Sequence, residues 1–146
     1  MGDRHRGRDA ALRMLYQSDL TGEPADKVVD DILLGALLDP PLEASARRFA
    51  ETLFRSALSR RDEIDALIRA GSDNWRIERM ATVDRNVLRL ALHELIENPS
   101  LSAAVVLDEA VELAKDFGGE ESGAFVNGVL DGIRRRLDSG ELVLRK

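Results

Sequence analysis

With 146 residues, 44% of them apolar and none of them cysteine, the chain has material for one cored domain and excludes disulfides, thiolate catalysis and cysteine-ligated metal centres. No apolar run approaches the roughly 18 residues that span a bilayer, and the start, MGDRHRGRDAALRML, lacks the apolar core of a secretion signal, so a cytoplasmic protein with no membrane partner is expected. The 21 basic and 27 acidic residues give a net charge of −6, against a uniformly basic nucleic-acid-binding surface, and two histidines, one Trp and one Tyr leave little for acid–base chemistry.

The charge is unevenly placed. Residues 1–15 carry Arg4, Arg6, Arg8 and Arg13 against Asp3 and Asp9, a net of +2, so the rest of the chain carries −8. This predicts a flexible basic arm at about 1–8 on an acidic body. The end from Arg134 repeats the basic bias, and a short tail is expected at about 138–146. Solvated termini without a function account equally well for both runs.

The dominant apolar period is helical, and no alternating pattern bounded by turn residues is present, which predicts an all-α fold. A first helix is expected from about Arg8 to Leu20, with Leu12, Leu15 and Tyr16 on one side and Thr21-Gly22 as its stop. Pro24 suits the first turn of a second helix carrying Val28, Val29, Ile32 and Leu33 to about Leu38, and Pro40-Pro41 separates it from the next. From Leu42 to about Ala70, Phe49, Leu53, Ala57, Ile64, Leu67 and Ile68 recur at helical spacing without Pro or Gly, which predicts one long helix closed by Gly71.

Ser72 or Asp73 is placed to cap a short helix through Ile77, and Thr82 to cap the next, with Asp84 in a first turn that favours acids. In that helix Val83, Val87, Leu88, Ala91, Leu92 and Leu95 form the expected buried stripe, while Arg85, Asn86, Arg89 and His93 are expected to face outward. Asn98-Pro99 ends it. A helix from about Ser102 to Phe117 follows, with Ala104, Leu107, Val111 and Ala114 inward and Gly118-Gly119 as its stop. The last runs from a Ser122 cap to about Leu137 on an apolar face of Val126, Val129, Leu130, Ile133 and Leu137. About seven helices with short connections predict a compact bundle forming a single domain over 1–146.

Three enzymatic patterns fail on their residues. Gly118-Gly119-Glu120-Glu121-Ser122-Gly123 has the glycine spacing of a phosphate-binding loop, but Ala124-Phe125 stand where Lys and Ser or Thr are needed, and no strand precedes it. His93-Glu94 opens like a zinc-protease helix, but Glu97 occupies the second ligand position. Asp108, Glu109, Glu112 and Asp116 lack the histidines of a two-metal carboxylate site and read as a solvated helix face. No metal, cofactor or catalytic residue is expected.

Three ordered strings carry more information: DRNVLRLALHEL from Asp84 to Leu95, DEAVELAKDFG from Asp108 to Gly118, and SGAFVNGVLD from Ser122 to Asp131. Together with the N-terminal helix from Arg8 through Leu15-Tyr16 to Asp19-Leu20, they resemble the NusB family of transcription antitermination factors in order and spacing. The resemblance implies an all-α fold of two small helical subdomains. It also implies a non-catalytic adaptor that binds the boxA element of ribosomal RNA leader transcripts as single-stranded RNA, together with the ribosomal protein NusE, within an RNA polymerase antitermination complex.

For RNA contact the resemblance implies Arg4, Arg6 and Arg8 at phosphates, Glu121 and Ser122 at a helix amino terminus, Phe125 as a base-stacking ring, and Asn127. A core role for Phe125 and a local polar bond at Asn127 are the blander alternatives. Tyr16, Glu78 and Asp84 are implied at the surface that receives NusE, where an acidic, partly aromatic patch suits a basic ribosomal protein. Gly7 and Asp9 interrupt the arginine run, and Ala124 stands where a basic residue commonly precedes the matched Phe, so RNA affinity is expected to depend on the partner. A helical protein-interaction module without RNA binding is the alternative, and a homodimer is left open. An RNA-methyltransferase fusion, known for NusB-like domains, is disfavoured because no glycine-rich cofactor loop follows a strand here.

Overall fold

The computed structural model describes residues 2–35, 38, 40–72, 75–98 and 100–143. Among them are six α-helices, one 3-10 turn and no strand: α1 (Asp3–Thr21), α2 (Ala25–Leu33), α3 (Ala44–Ser59), α4 (Arg61–Gly71), the 3-10 turn (Ile77–Arg79), α5 (Thr82–Glu97) and α6 (Ala103–Ser139). They form two compact units, Met1–Ser59 and Arg60–Lys146. The seventh expected helix is the second half of α6, which continues through a kink.

In the first unit α1 begins five residues earlier than the periodicity predicts. Its first amide bond runs from Arg6 to the Gly2 carbonyl at 3.1 Å, and Gly7 and Arg8 are already buried. Residues 3–8, expected as a flexible arm, are therefore helical. At the other end Gly22 takes a left-handed φ of 66° and returns its N–H to the Ser18 carbonyl, the stop that Thr21-Gly22 predicts. Pro24 precedes α2 rather than lying in its first turn, and α2 ends at Leu33 instead of about Leu38; Ala36, Leu37 and Asp39 lie outside the described residues. α1 packs on α3 and α2. Ala10, Ala11 and Ala50 are fully buried, and these small side chains let the helices approach while Met14, Val28 and Phe54 fill the space between them.

The single helix predicted from Leu42 to Ala70 is two. Arg60, at φ −105° and ψ 11°, interrupts it, and its carbonyl accepts the first bond of α4 from Ile64. The apolar phase cannot reveal this break, because Ala57 and Ile64 are two full turns apart and stay on one face. The local chemistry favours it. The Ser59 hydroxyl donates back to the Ser56 carbonyl at 2.8 Å, and Asp62 and Glu63 supply the acids that suit a new first turn.

In the second unit α5 packs against both α4 and α6. A helix covered on two sides must bury more than one stripe, and here Asn86, Arg89 and His93 are buried together with Val87, Leu88, Leu90 and Leu92. This corrects the expected outward placement of the three polar residues. Arg89 is matched by Asp65 of α4 and donates to the side-chain Oδ1 of Asn86 at 3.0 Å, and Asn86 Nδ2 donates to the Thr82 backbone carbonyl at 2.8 Å. Val83 and Leu95, expected in the stripe, are half-buried.

Ala81 rather than Thr82 occupies the cap position of α5, and Asp84 falls in the first turn as predicted. Ser72 caps nothing. Its hydroxyl turns back to the Ile68 carbonyl, Asp73 lies outside the described residues, and the short element is the 3-10 turn starting at Ile77. Asn98 ends α5, with Pro99 outside the described residues, and Ser102 caps α6 by accepting from the Val105 amide at 3.2 Å.

Along the first half of α6 the buried residues are Val106, Ala110, Leu113 and Ala114, so the expected stripe is rotated: Ala104 is exposed and Leu107 and Val111 are half-buried. Along the second half Val126, Val129, Leu130 and Ile133 are buried as predicted, with Leu137 half-buried. The two halves meet at Gly119, whose φ of 85° and ψ of −174° belong to a region essentially restricted to glycine. Helical backbone resumes at Glu120, two residues before Ser122, so Gly118-Gly119 is an elbow rather than a stop followed by a loop. Among the described residues no helix is long and apolar enough to cross a membrane, and no group of three or more His, Asp or Glu side chains is arranged to hold a metal.

Candidate RNA and partner surfaces

The N-terminal arginines are fixed by the helix that carries them. Arg4 and Arg8 are one turn apart on α1, and both guanidinium groups lie over the ring of Phe49 on α3, at 4.2 and 5.6 Å from its centroid. Interactions of this kind contribute about 0.5–1 kcal/mol at exposed sites. Phe49 approaches so closely because a Cβ on Gly7 would stand 2.5 Å from its Cδ2. The glycine that interrupts the arginine run thus admits the ring on which two of the arginines rest. Arg6, two residues from each, points elsewhere and donates to the Pro40 carbonyl. Arg4 is exposed and Arg8 buried. Further along α1, Tyr16 and Leu20 are exposed one turn apart, a small apolar surface on the same unit.

In the second unit Asp84, in the first turn of α5, is only 8% exposed. Burial pushes its carboxyl above the usual carboxylate range, a bond from the Ser122 hydroxyl partly offsets this, and Oδ1 has no hydrogen-bond partner. Ser122 is therefore tied to α5 across the elbow and does not cap a helix, contrary to expectation. Glu121 is exposed in the first turn after Gly119, beside Glu120, so two acids stand at the place expected for a free anion site. Asn127 is exposed two turns into the resumed helix and holds no turn there. Glu78 is exposed in the 3-10 turn. Its own backbone amide and then Arg69, at 3.1 Å, hold its carboxyl below the usual range.

Phe125 is half-buried, and it meets Trp75 edge to face, with ring centroids 5.1 Å apart and planes at 89°. Trp75 is 56% exposed, although tryptophan is the side chain with most to gain from burial. Sequence reasoning missed it, as it missed the role of Phe49. The available signal was composition alone, a lone Trp in a polar connection between two helices.

The NusB family model matches residues 5–135. The transcription antitermination protein NusB of Sorangium cellulosum is 47% identical over 137 residues, covering 94% of this chain and 95% of the relative. That of Myxococcus xanthus is 44% identical, covering 91% and 95%. Among solved structures, a crystal structure of antitermination factors NusB and NusE in complex with dsRNA is similar at a TM-score of 0.80 and 32% identity over 91% of this chain and 96% of the other. The solution structure of NusB from Aquifex aeolicus is similar at a TM-score of 0.82 and 31% identity, covering 100% and 97%. With the helical order, the elbow and the three sequence strings in place, the chain belongs to the NusB family.

Proposed function

We propose that the protein is a non-catalytic RNA-binding adaptor in transcription antitermination. It takes boxA-type RNA of ribosomal RNA leaders together with NusE and enters the RNA polymerase antitermination complex in the cytoplasm. The observation that carries this reading is near full-length similarity to NusB relatives, one of them solved with both NusE and RNA.

The geometry supports a division of labour. Arg4 and Arg6 offer positive charge to phosphates from a helical frame, with Arg8 anchoring that frame on Phe49. Phe125 offers a half-buried ring on the helical segment that follows the elbow, with Glu121 and Ser122 one turn before it and Asn127 exposed further along the same segment. Tyr16 and Glu78 are surface residues suited to a basic protein partner, whereas buried Asp84 acts through Ser122 on the elbow.

Fluorescence anisotropy with a short boxA-like RNA and a scrambled control, each with and without NusE at two salt concentrations, tests the reading. Tighter binding of the boxA-like RNA with NusE present is expected. Changing Arg4, Arg6 and Arg8 to Ala is expected to weaken binding and lower the slope of log affinity against log salt by about 1.4, at about 0.7 for each of the two single-strand phosphates that Arg4 and Arg6 no longer neutralise. If neither RNA binds and NusE changes nothing, the interaction-module reading replaces this one.

A further inference from the structure

The elbow of α6 is held by few side chains. Gly119 joins the two halves at φ 85° and ψ −174°, and a residue without Cβ resists rotation less than any other. On either side of it the nearest fully buried side chains are Ala114 and Val126, while Glu120 and Glu121 are exposed and Ser122 is half-buried. The turn that follows the joint therefore has no apolar anchor of its own.

What ties this turn down is polar. Asp84, in the first turn of α5, is 8% exposed, and its carboxyl accepts from the Ser122 hydroxyl while Oδ1 has no partner. Breaking that bond would leave a second carboxyl oxygen buried with nothing in exchange, which makes the contact costly to open. Gly118 makes room for it. A Cβ on Gly118 would collide with Ser122 Oγ and stand 2.7 Å from Ser122 Cβ. Of the two adjacent glycines, one turns the chain and the other admits the serine to α5.

Resting on the RNA-binding reading above, we propose that Asp84 and Ser122 are positioning residues whose bond is a latch. It holds the turn after Gly119 in the orientation that RNA requires, without either side chain touching RNA or NusE. With the latch open the turn samples other orientations, and apparent affinity falls with the fraction of molecules still correctly placed. The loss of one hydrogen bond of ordinary net strength corresponds to about fivefold weaker binding.

The experiment measures anisotropy of labelled boxA-like RNA in the presence of NusE for the parent and for variants that open the latch in three ways. Asp84→Ala removes the acceptor, Ser122→Ala removes the donor, and Gly118→Ala displaces the hydroxyl while keeping both partners. Each is expected to weaken RNA binding about fivefold with an unchanged salt slope. The double variant Asp84→Ala with Ser122→Ala is expected to bind no more weakly than either single one, because the second change removes a bond already lost. Asp84→Asn, which keeps an acceptor for the hydroxyl, is expected to restore binding to within twofold of the parent. NusE affinity measured without RNA is expected to stay the same throughout. Affinities are read well below the lowest melting midpoint of the set, so loss of fold does not register as loss of binding.

Losses that multiply to about 25-fold in the double variant would show that the two residues act independently, and would overturn the latch. Asp84→Asn binding as weakly as Asp84→Ala would overturn it as well, since the charge and not the bond would then matter. A fall in NusE affinity matching the fall in RNA affinity would return Asp84 to the partner surface. Parent-like RNA binding by all three single variants overturns the proposal and leaves the adaptor reading standing, whereas absence of RNA binding by the parent overturns both.

Discussion

Arg89 of α5 and Asp65 of α4 form a two-pronged ion pair, Nε to Oδ1 at 2.8 Å and Nη2 to Oδ2 at 3.0 Å, with about nine-tenths of each side chain removed from solvent. The third guanidinium nitrogen is taken by Asn86, so the charge is both neutralised and hydrogen-bonded. Removing one partner strands the other. Asp65→Ala is expected to destabilise the protein by about 3–5 kcal/mol in urea unfolding. The double change Asp65→Leu with Arg89→Met is expected to cost less than the single one. A double variant less stable than Asp65→Ala would contradict this account.

His93 is 3% exposed, with no hydrogen-bond partner at Nδ1. Burial is the main reason its pKa lies below the usual 6.5; Arg60 lowers it further, and Glu97 and Glu94 act in the opposite direction. The unfolded chain therefore binds a proton that the folded one refuses. Stability is fully present above about pH 6.5 and falls as the pH drops from there through the folded pKa. His93→Phe is expected to flatten that slope in melts between pH 7 and 5. An unchanged slope would place the pH dependence elsewhere.

At the elbow, Gly119→Ala places a side chain at φ 85° and ψ −174°. A loss of about 1–3 kcal/mol is expected, together with a changed near-ultraviolet signal from the Trp75–Phe125 pair. Thermal melts and near-ultraviolet circular dichroism check both effects.

The family resemblance implies Tyr16 and Asp84 on one partner surface, yet their environments differ: Tyr16 is 39% exposed and Asp84 8%. Tyr16→Ala is expected to lower NusE affinity at least tenfold by calorimetry. Asp84→Asn, which keeps an acceptor for Ser122, is expected to leave it nearly unchanged. Because burial raises the Asp84 pKa, its folded form holds a proton that the unfolded form releases, and this contribution to stability declines as the pH rises above about 3.8. The stability of Asp84→Asn relative to the parent should therefore be higher at pH 7 than at pH 3.

Local chemistry in the sequence located Gly22, Gly71, Asn98 and Ser102 at helix ends, because caps and stops act over one turn. It also determined the all-helical class and the apolar face of the last helical segment, since a face packed on one side leaves a clean period. Tertiary packing decided what that period could not express. α5 buries Asn86, Arg89 and His93 because it is covered from two sides, and a covered polar residue reads the same as a solvated one until its partner is known; Asp65 lies 24 positions away. The break at Arg60 keeps the apolar phase, so no pattern marks it. The grouping of Arg4 and Arg8 on Phe49, and of Trp75 with Phe125, also waited on the fold, because pairings across dozens of residues are set by how helices pack and not by spacing within any one of them.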